Sequence, residues 1–190
     1  SGKTEILNGF SSSIDLEGLA NHRGSAFGGL LEEQPTLINF ENTLAFKYLN
    51  HKSKILFLED ESRKIGKIVI PDLWFKKMQS SKIIIIDLPM EERIENITNE
   101  YVNKPLENGI SKFELNGFFQ SSLYNIRKRL GLQLYDEISS MISNTFIGSG
   151  ELSNEDWIKK LLINYYDPMY DYQLQSKIDR CILKGNKTEV

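Results

Sequence analysis

Short apolar runs alternate along this chain with longer stretches in which apolar residues recur every three or four positions. Lys54–Leu58 (KILFL) and Lys82–Ile86 (KIIII) are nearly unbroken apolar runs, the pattern of strands buried on both faces of a parallel sheet. Ile14–Leu16 ends another strand, and Ile68–Ile70 is a β-branched run that stops at Pro71. Helical spacing lies between and after. Phe40–Leu49 places Phe40, Thr43, Leu44 and Leu49 near one stripe, and Pro71–Met78 carries Leu73, Trp74 and Met78. Met90–Val102 presents Ile94, Ile97 and Tyr101, with Pro89 suited to its start. From Ser121 to Tyr172 the pattern is helical throughout. Ser122–Leu130 closes at Gly131, and Gln133–Ile147 closes at Gly148-Ser149-Gly150. Ser153 with Asp156 caps a helix carrying Trp157, Leu161, Leu162, Tyr165 and Tyr166. Strands alternating with helices predict an α/β fold, a mostly parallel sheet flanked by helices over residues 1–105. A helical C-terminal segment is expected over 106–190.

Composition narrows the function classes. The chain has 190 residues, 40% hydrophobic and 26% charged, which is ordinary for a globular domain with a small helical appendage. A net charge of −3 gives no global basic field, so nucleic-acid contact needs a local patch. The single cysteine, Cys181, excludes an internal disulfide and a cysteine-based zinc cluster. One thiol fits a reducing compartment, and a cytoplasmic location is expected. The apolar run Ile83–Ile86 is strand-sized, far short of the ~20 residues of a membrane span, and no signal peptide is visible.

Ser1-Gly2-Lys3-Thr4 matches the end of the phosphate-loop pattern G-x-x-x-x-G-K-[ST]. Gly2 lets backbone approach a phosphate, Lys3 brings a point charge to the outer phosphates, and the Thr4 hydroxyl suits magnesium. The first Gly of the pattern and the strand before it are expected upstream of Ser1. Only nine residues separate Thr4 from Ile14, so either residues are missing around Gly9–Ser13 or the helix is very short. Acids tip three strands: Asp15 and Glu17, Glu59 and Asp60, and Asp87. Ligands of open α/β sheets bind beyond strand carboxyl ends. Glu59 and Asp60 stand where a phosphate-loop protein places its magnesium-holding or catalytic acid, with Arg63 close by.

Two stretches go beyond generic logic: Asp15-Leu16-Glu17-Gly18-Leu19-Ala20-Asn21-His22-Arg23-Gly24-Ser25, and Glu59-Asp60-Glu61-Ser62-Arg63-Lys64-Ile65-Gly66. Both resemble the P-loop domain of the tRNA 2-selenouridine synthase family, as do Gln34-Pro35-Thr36, Phe40-Glu41-Asn42 and Tyr165–Tyr172. The resemblance runs from Ser1 to about Gln173. It implies a P-loop NTPase-like domain of an enzyme that replaces the sulfur of wobble 2-thiouridine with selenium. It further implies selenophosphate as donor and an S-geranylated intermediate made from geranyl diphosphate. The essential cysteine of such enzymes lies in a rhodanese-like domain, in cis or on a separate chain. Cys181 lies outside the match and does not inherit that role.

On this reading Ser1, Gly2, Lys3 and Thr4 bind phosphate. Lys3, Glu59, Asp60 and Arg63 are the catalytic candidates, and Thr4 with Asp60 would hold Mg2+. His22 and Arg23 are candidate substrate contacts. Arg127-Lys128-Arg129, with Phe118 and Phe119 upstream, is the candidate patch for the tRNA anticodon region. The tyrosines of Tyr165–Tyr172 suit packing of a terminal helix more than base stacking, and His51 reads as structural. Two other readings stay open. One is a P-loop kinase or ATPase, with ATP in the loop. The other is a tRNA-binding module without catalysis of its own.

Overall fold

The computed structural model describes residues 3–29, 33–148, 153–186 and 189. They gather into two compact units. One runs through Asp87 and takes back the chain from Arg180 onward, and the other is Leu88–Asp179. The division therefore falls earlier than residue 105.

The first unit holds α1 (Lys3–Asn8), β1 (Ser13–Ile14), α2 (Leu16–Leu19), α3 (Leu37–Leu49), β2 (Phe57–Leu58), β3 (Lys64–Ile65), β4 (Ile68–Val69), α4 (Asp72–Ser80) and β5 (Ile83–Ile86). The close spacing of Thr4 and Ile14 has a simple cause: α1 has only 6 residues. Amides of Gly9 and Phe10 bond back to Ile6 and Leu7 carbonyls at 3.0 and 3.1 Å, and the chain enters β1 at once. Phe10 stacks on Phe57 with ring centroids 4.4 Å apart, which pins that turn to β2.

β1 and β2 are parallel, with Ser13 opposite Phe57 and Ile14 opposite Leu58. β3 and β4 form an antiparallel hairpin, which the sequence reading did not foresee. Its turn is Gly66-Lys67, with Gly66 at φ 60°, the geometry that two-residue hairpin turns demand of glycine. The run KILFL yields only the two strand residues of β2, since Ile55 is 62% exposed. Side chains of β1, α2, α3, the hairpin and α4 share one core: Ile14, Leu16, Phe40, Leu44, Ile65, Ile68, Ile70 and Met78. Leu49, expected on the buried stripe of α3, is 81% exposed instead.

The chain's end corrects the expectation of helix through residue 190. β6 (Cys181–Gly185) pairs in parallel with β5. Arg180 prepares that pairing, its Nη1 donating to the carbonyls of Met78 and Ser81 at 3.0 and 2.7 Å. Cys181 thus begins a strand opposite Ile83.

The second unit is helical: α5 (Met90–Thr98), α6 (Lys104–Glu107), α7 (Lys112–Leu130), α8 (Leu132–Phe146), α9 (Asn154–Leu161) and α10 (Asp167–Gln175). Leu115, Phe119, Leu123, Ile138, Ile142 and Trp157 are among its buried side chains. The Phe119 ring lies 5.4 Å from Phe146 and 5.0 Å from Trp157. Two π-helical turns, Asn99–Asn103 and Leu162–Tyr166, lead into α6 and α10, which begin with Lys104-Pro105 and Asp167-Pro168. Proline lacks an amide proton and its ring clashes with the carbonyl four residues back, and a wider turn relieves the clash. The amides of Lys104 and Asp167 accordingly reach back five residues, to Asn99 and Leu162.

Candidate functional site

The site grows from the ends of the parallel pair β1–β2. Where β1 stops, Asp15 caps α2, its Oδ1 accepting from the Gly18 amide at 2.6 Å. Where β2 stops, Glu59 reaches the same place: its Oε2 accepts from the Leu16 amide at 3.0 Å. Glu59 is 4% exposed and its Oε1 has no hydrogen-bond partner. Burial, with the charge of Asp15 adding to it, pushes the Glu59 carboxyl up to about 8, although the Leu16 amide pulls the other way. Glu59 therefore clamps one strand end to the next helix.

Glu61, two residues on, is 7% exposed and faces Lys3, with Oε1 3.6 Å from the Lys3 Nζ. Glu17 of α2 joins them. Burial raises its carboxyl to about 7, Lys3 opposes the rise, and Glu61 and Asp15 add to it. The cluster is thus one lysine at the start of α1 facing buried Glu61 and half-buried Glu17, with buried Glu59 beside Asp15, and burial raises both Glu17 and Glu59. Ser1 and Gly2 lie outside the described residues. Thr4 sits in the first turn of α1, half-buried, and Asp60 is exposed.

A loop closes over the acids. Asn21 at φ 47° and Gly24 at φ 64° both take left-handed backbone. A Cβ at Gly24 would lie 2.7 Å from both Glu17 Oε1 and Glu61 Oε2, so only glycine lets the two carboxylates approach this backbone. His22 Nδ1 accepts from the Gly24 amide at 3.0 Å, which leaves the ring proton of the neutral imidazole on Nε2. Burial pushes His22 below its usual value, against the pull of Glu61. The Arg23 amide donates to the Gly28 carbonyl at 2.9 Å and closes the loop. Gln34 fastens this segment to the hairpin: its Nε2 donates to Ala20 and Ile65 carbonyls at 2.9 and 3.0 Å, and its Oε1 accepts from the Lys67 amide at 2.6 Å.

Lys3, Glu17, Glu59, Glu61 and His22 are therefore brought together. Glu61 and Gln34 were not singled out as site residues from the sequence. Glu61 lies two residues from Glu59 in the same acidic run, after a tight turn in which its amide donates to the Glu59 carbonyl at 3.0 Å. Arg63 turns elsewhere, pairing with Asp72 of α4 and lying 5.6 Å over the Phe75 ring. Asp87 is engaged by Lys184 of β6 at 3.0 Å. Arg127, Lys128 and Arg129 form the last turn of α7, in the second unit. Phe119, their supposed stacking aid, is 1% exposed and belongs to the core. Among the described residues no group of three or more His, Cys, Asp or Glu is placed to hold a metal, and no helix is long and apolar enough to cross a membrane.

Fold and site define an α/β protein with a lysine-and-carboxylate cluster where two parallel strands end. The chain belongs to the family of the tRNA 2-selenouridine synthase AAA domain, whose model matches residues 1–190. It is similar to three proteins named tRNA 2-selenouridine synthase. That of Shewanella woodyi is 43% identical over 202 residues, covering 98% of this chain and 54% of the relative. That of Shewanella piezotolerans is 41% identical over 200 residues, covering 98% and 55%. That of Hydrogenovibrio crunogenus is 40% identical over 194 residues, covering 97% and 53%. The chain spans about half the length of the curated relatives it matches. No solved structure matches it.

Proposed function

We propose that this chain is the phosphate-holding part of an enzyme that converts 2-thiouridine to 2-selenouridine at the wobble position of tRNA. The observation that carries the reading is the meeting of Lys3, at the start of α1, with Glu61 and Glu17, which follow the parallel strands β2 and β1. A lysine in the sequence Gly-Lys-Thr that faces acids beyond strand ends suits a P-loop, and membership of the family supports it.

In this proposal the bound phosphate compound is geranyl diphosphate. The sulfur of thiouridine forms a bond to the geranyl C1 carbon while the C1–O bond breaks. The electron pair leaves on the diphosphate. Lys3 stabilises that charge. Glu61 holds the Lys3 ammonium in place before the ligand arrives. Glu17 and Glu59 keep protons near neutrality, so the cluster adds less negative charge against an anionic ligand than its composition suggests. Magnesium bound to phosphate needs only one or two protein oxygens, and the donor chemistry of Thr4 and Asp60 fits it. It would supply charge neutralisation for the leaving group. Selenophosphate is the selenium donor of the whole enzyme, and a rhodanese-like domain, in cis or on another chain, supplies its cysteine. His22, Arg23 and the Arg127-Lys128-Arg129 turn are the proposed tRNA contacts, and the work is cytoplasmic.

Calorimetric titration with geranyl diphosphate and magnesium tests the cradle. Binding is expected, and Lys3→Ala should weaken it roughly 10- to 100-fold, the worth of one charge-assisted contact. Tight ATP binding with no response to geranyl diphosphate would move the chain to the kinase or ATPase class. No binding of either would sink the phosphate reading.

A further inference from the structure

The last turn of α7 carries more than charge. Arg127 lies with its guanidinium carbon 3.4 Å from the centre of the Tyr124 ring, and its Nη1 donates to the Tyr124 carbonyl at 2.7 Å. Tyr124 still stands 51% exposed. Tyr135 of α8 meets it edge-on, with centroids 6.4 Å apart. Lys128 and Arg129 are exposed beside them, and Gly131 at φ 81° turns the chain sharply between the two helices. Leu132, the first residue of α8, is 73% exposed.

Compensation of the helix dipole accounts for three cations in a final turn. It gives no reason to leave a tyrosine half-exposed, with a guanidinium laid on its face and a second tyrosine at its edge. Buried aromatics of the same helix, such as Phe119, show where α7 puts rings that serve packing.

We infer that Tyr124, Arg127 and Tyr135 form a stacking platform for an unpaired RNA base, with Lys128 and Arg129 holding the flanking phosphates. Aromatic and guanidinium planes are the surfaces on which splayed-out bases stack, and neighbouring cations hold the backbone. The platform selects single-stranded over paired RNA, because a base inside a duplex has no free face. This inference rests on the tRNA reading above and gives it a contact: an unpaired loop nucleotide.

The test uses the 190-residue chain, fluorescein-labelled decauridine, a fully paired RNA hairpin, and 2-thiouridine tRNA, followed by anisotropy over a range of salt. Tyr124→Leu and Tyr135→Leu, on different helices, are each expected to weaken decauridine binding roughly 5- to 100-fold, the worth of one stacked base. The salt slope should not change, since stacking releases no counterions. Tyr124→Phe should restore affinity, and paired hairpin should bind weakly to all forms. Thermal melts establish that each variant is folded. If both leucine variants bind decauridine like the unaltered chain, while Lys128→Ala weakens it, the platform is wrong and the tRNA reading stands. If the unaltered chain binds neither decauridine nor tRNA, both fall.

Discussion

Glu59, Asp60 and Glu61 follow one another at the end of β2, and the structure gives each a different place. Glu59 and Glu61 turn inward and Asp60 is exposed, because the chain makes a tight turn there, the Glu61 amide donating to the Glu59 carbonyl at 3.0 Å. The sequence therefore showed where acids gather, but not the tight turn that separates them. It could not show that Glu61, and not Glu59, faces Lys3, because that depends on where α1 begins. The buried carboxyls carry a pH signature. Glu59 and Glu17 bind protons more tightly folded than unfolded, with values raised to about 8 and about 7 from 4.5. The folded state then holds more protons, and these groups make stability fall as pH rises from about 4.5 to about 8. His22, whose value is lowered, acts oppositely and costs stability as pH falls. Glu59→Gln should flatten much of the decline between pH 5 and pH 8.5 in urea unfolding. An unchanged slope would mean that Glu59 is ionised in the folded protein.

At the scale of elements, long periodic helices were legible and short pairings were not. α8 lies within a residue of its expected bounds, and α9 begins where Ser153 and Asp156 place it but gives way at Leu162 to a π-helical turn that was read as the same helix. The first part of α7, Lys112–Gln120, went unread, although Ser111 and Glu114 form a capping box at its start. Gly117 breaks its apolar rhythm. The hairpin β3–β4 is only two residues per strand, too short for any period to show. Phe119 is the clearest case of an aromatic assigned the wrong work. It is wedged against Phe146 and Trp157, so Phe119→Ala should cost about 3–5 kcal/mol. Denaturant titration followed by circular dichroism would measure this. A cost below about 1 kcal/mol, the usual range of exposed sites, would contradict its place in the core.

At the scale of the molecule, the chain leaves its first unit at Asp87 and returns at Arg180. No local pattern announces that return, since Cys181–Gly185 becomes a strand only by pairing with Ile83–Ile86 about a hundred residues away. The family, by contrast, was legible in the acidic, glycine-bearing run from Asp15 to Ser25, because that run builds the loop over the cluster. Lys3 and its acids are proposed to serve departure of a diphosphate during tRNA modification. The direct measurement is incubation of the protein with 2-thiouridine tRNA, geranyl diphosphate and magnesium, followed by mass analysis of the digested nucleosides, with Lys3→Ala alongside. The account expects thiouridine to gain a geranyl mass with the unaltered chain and not with the variant. Unmodified thiouridine in tRNA that the chain demonstrably binds, or a gain that survives Lys3→Ala, would contradict it.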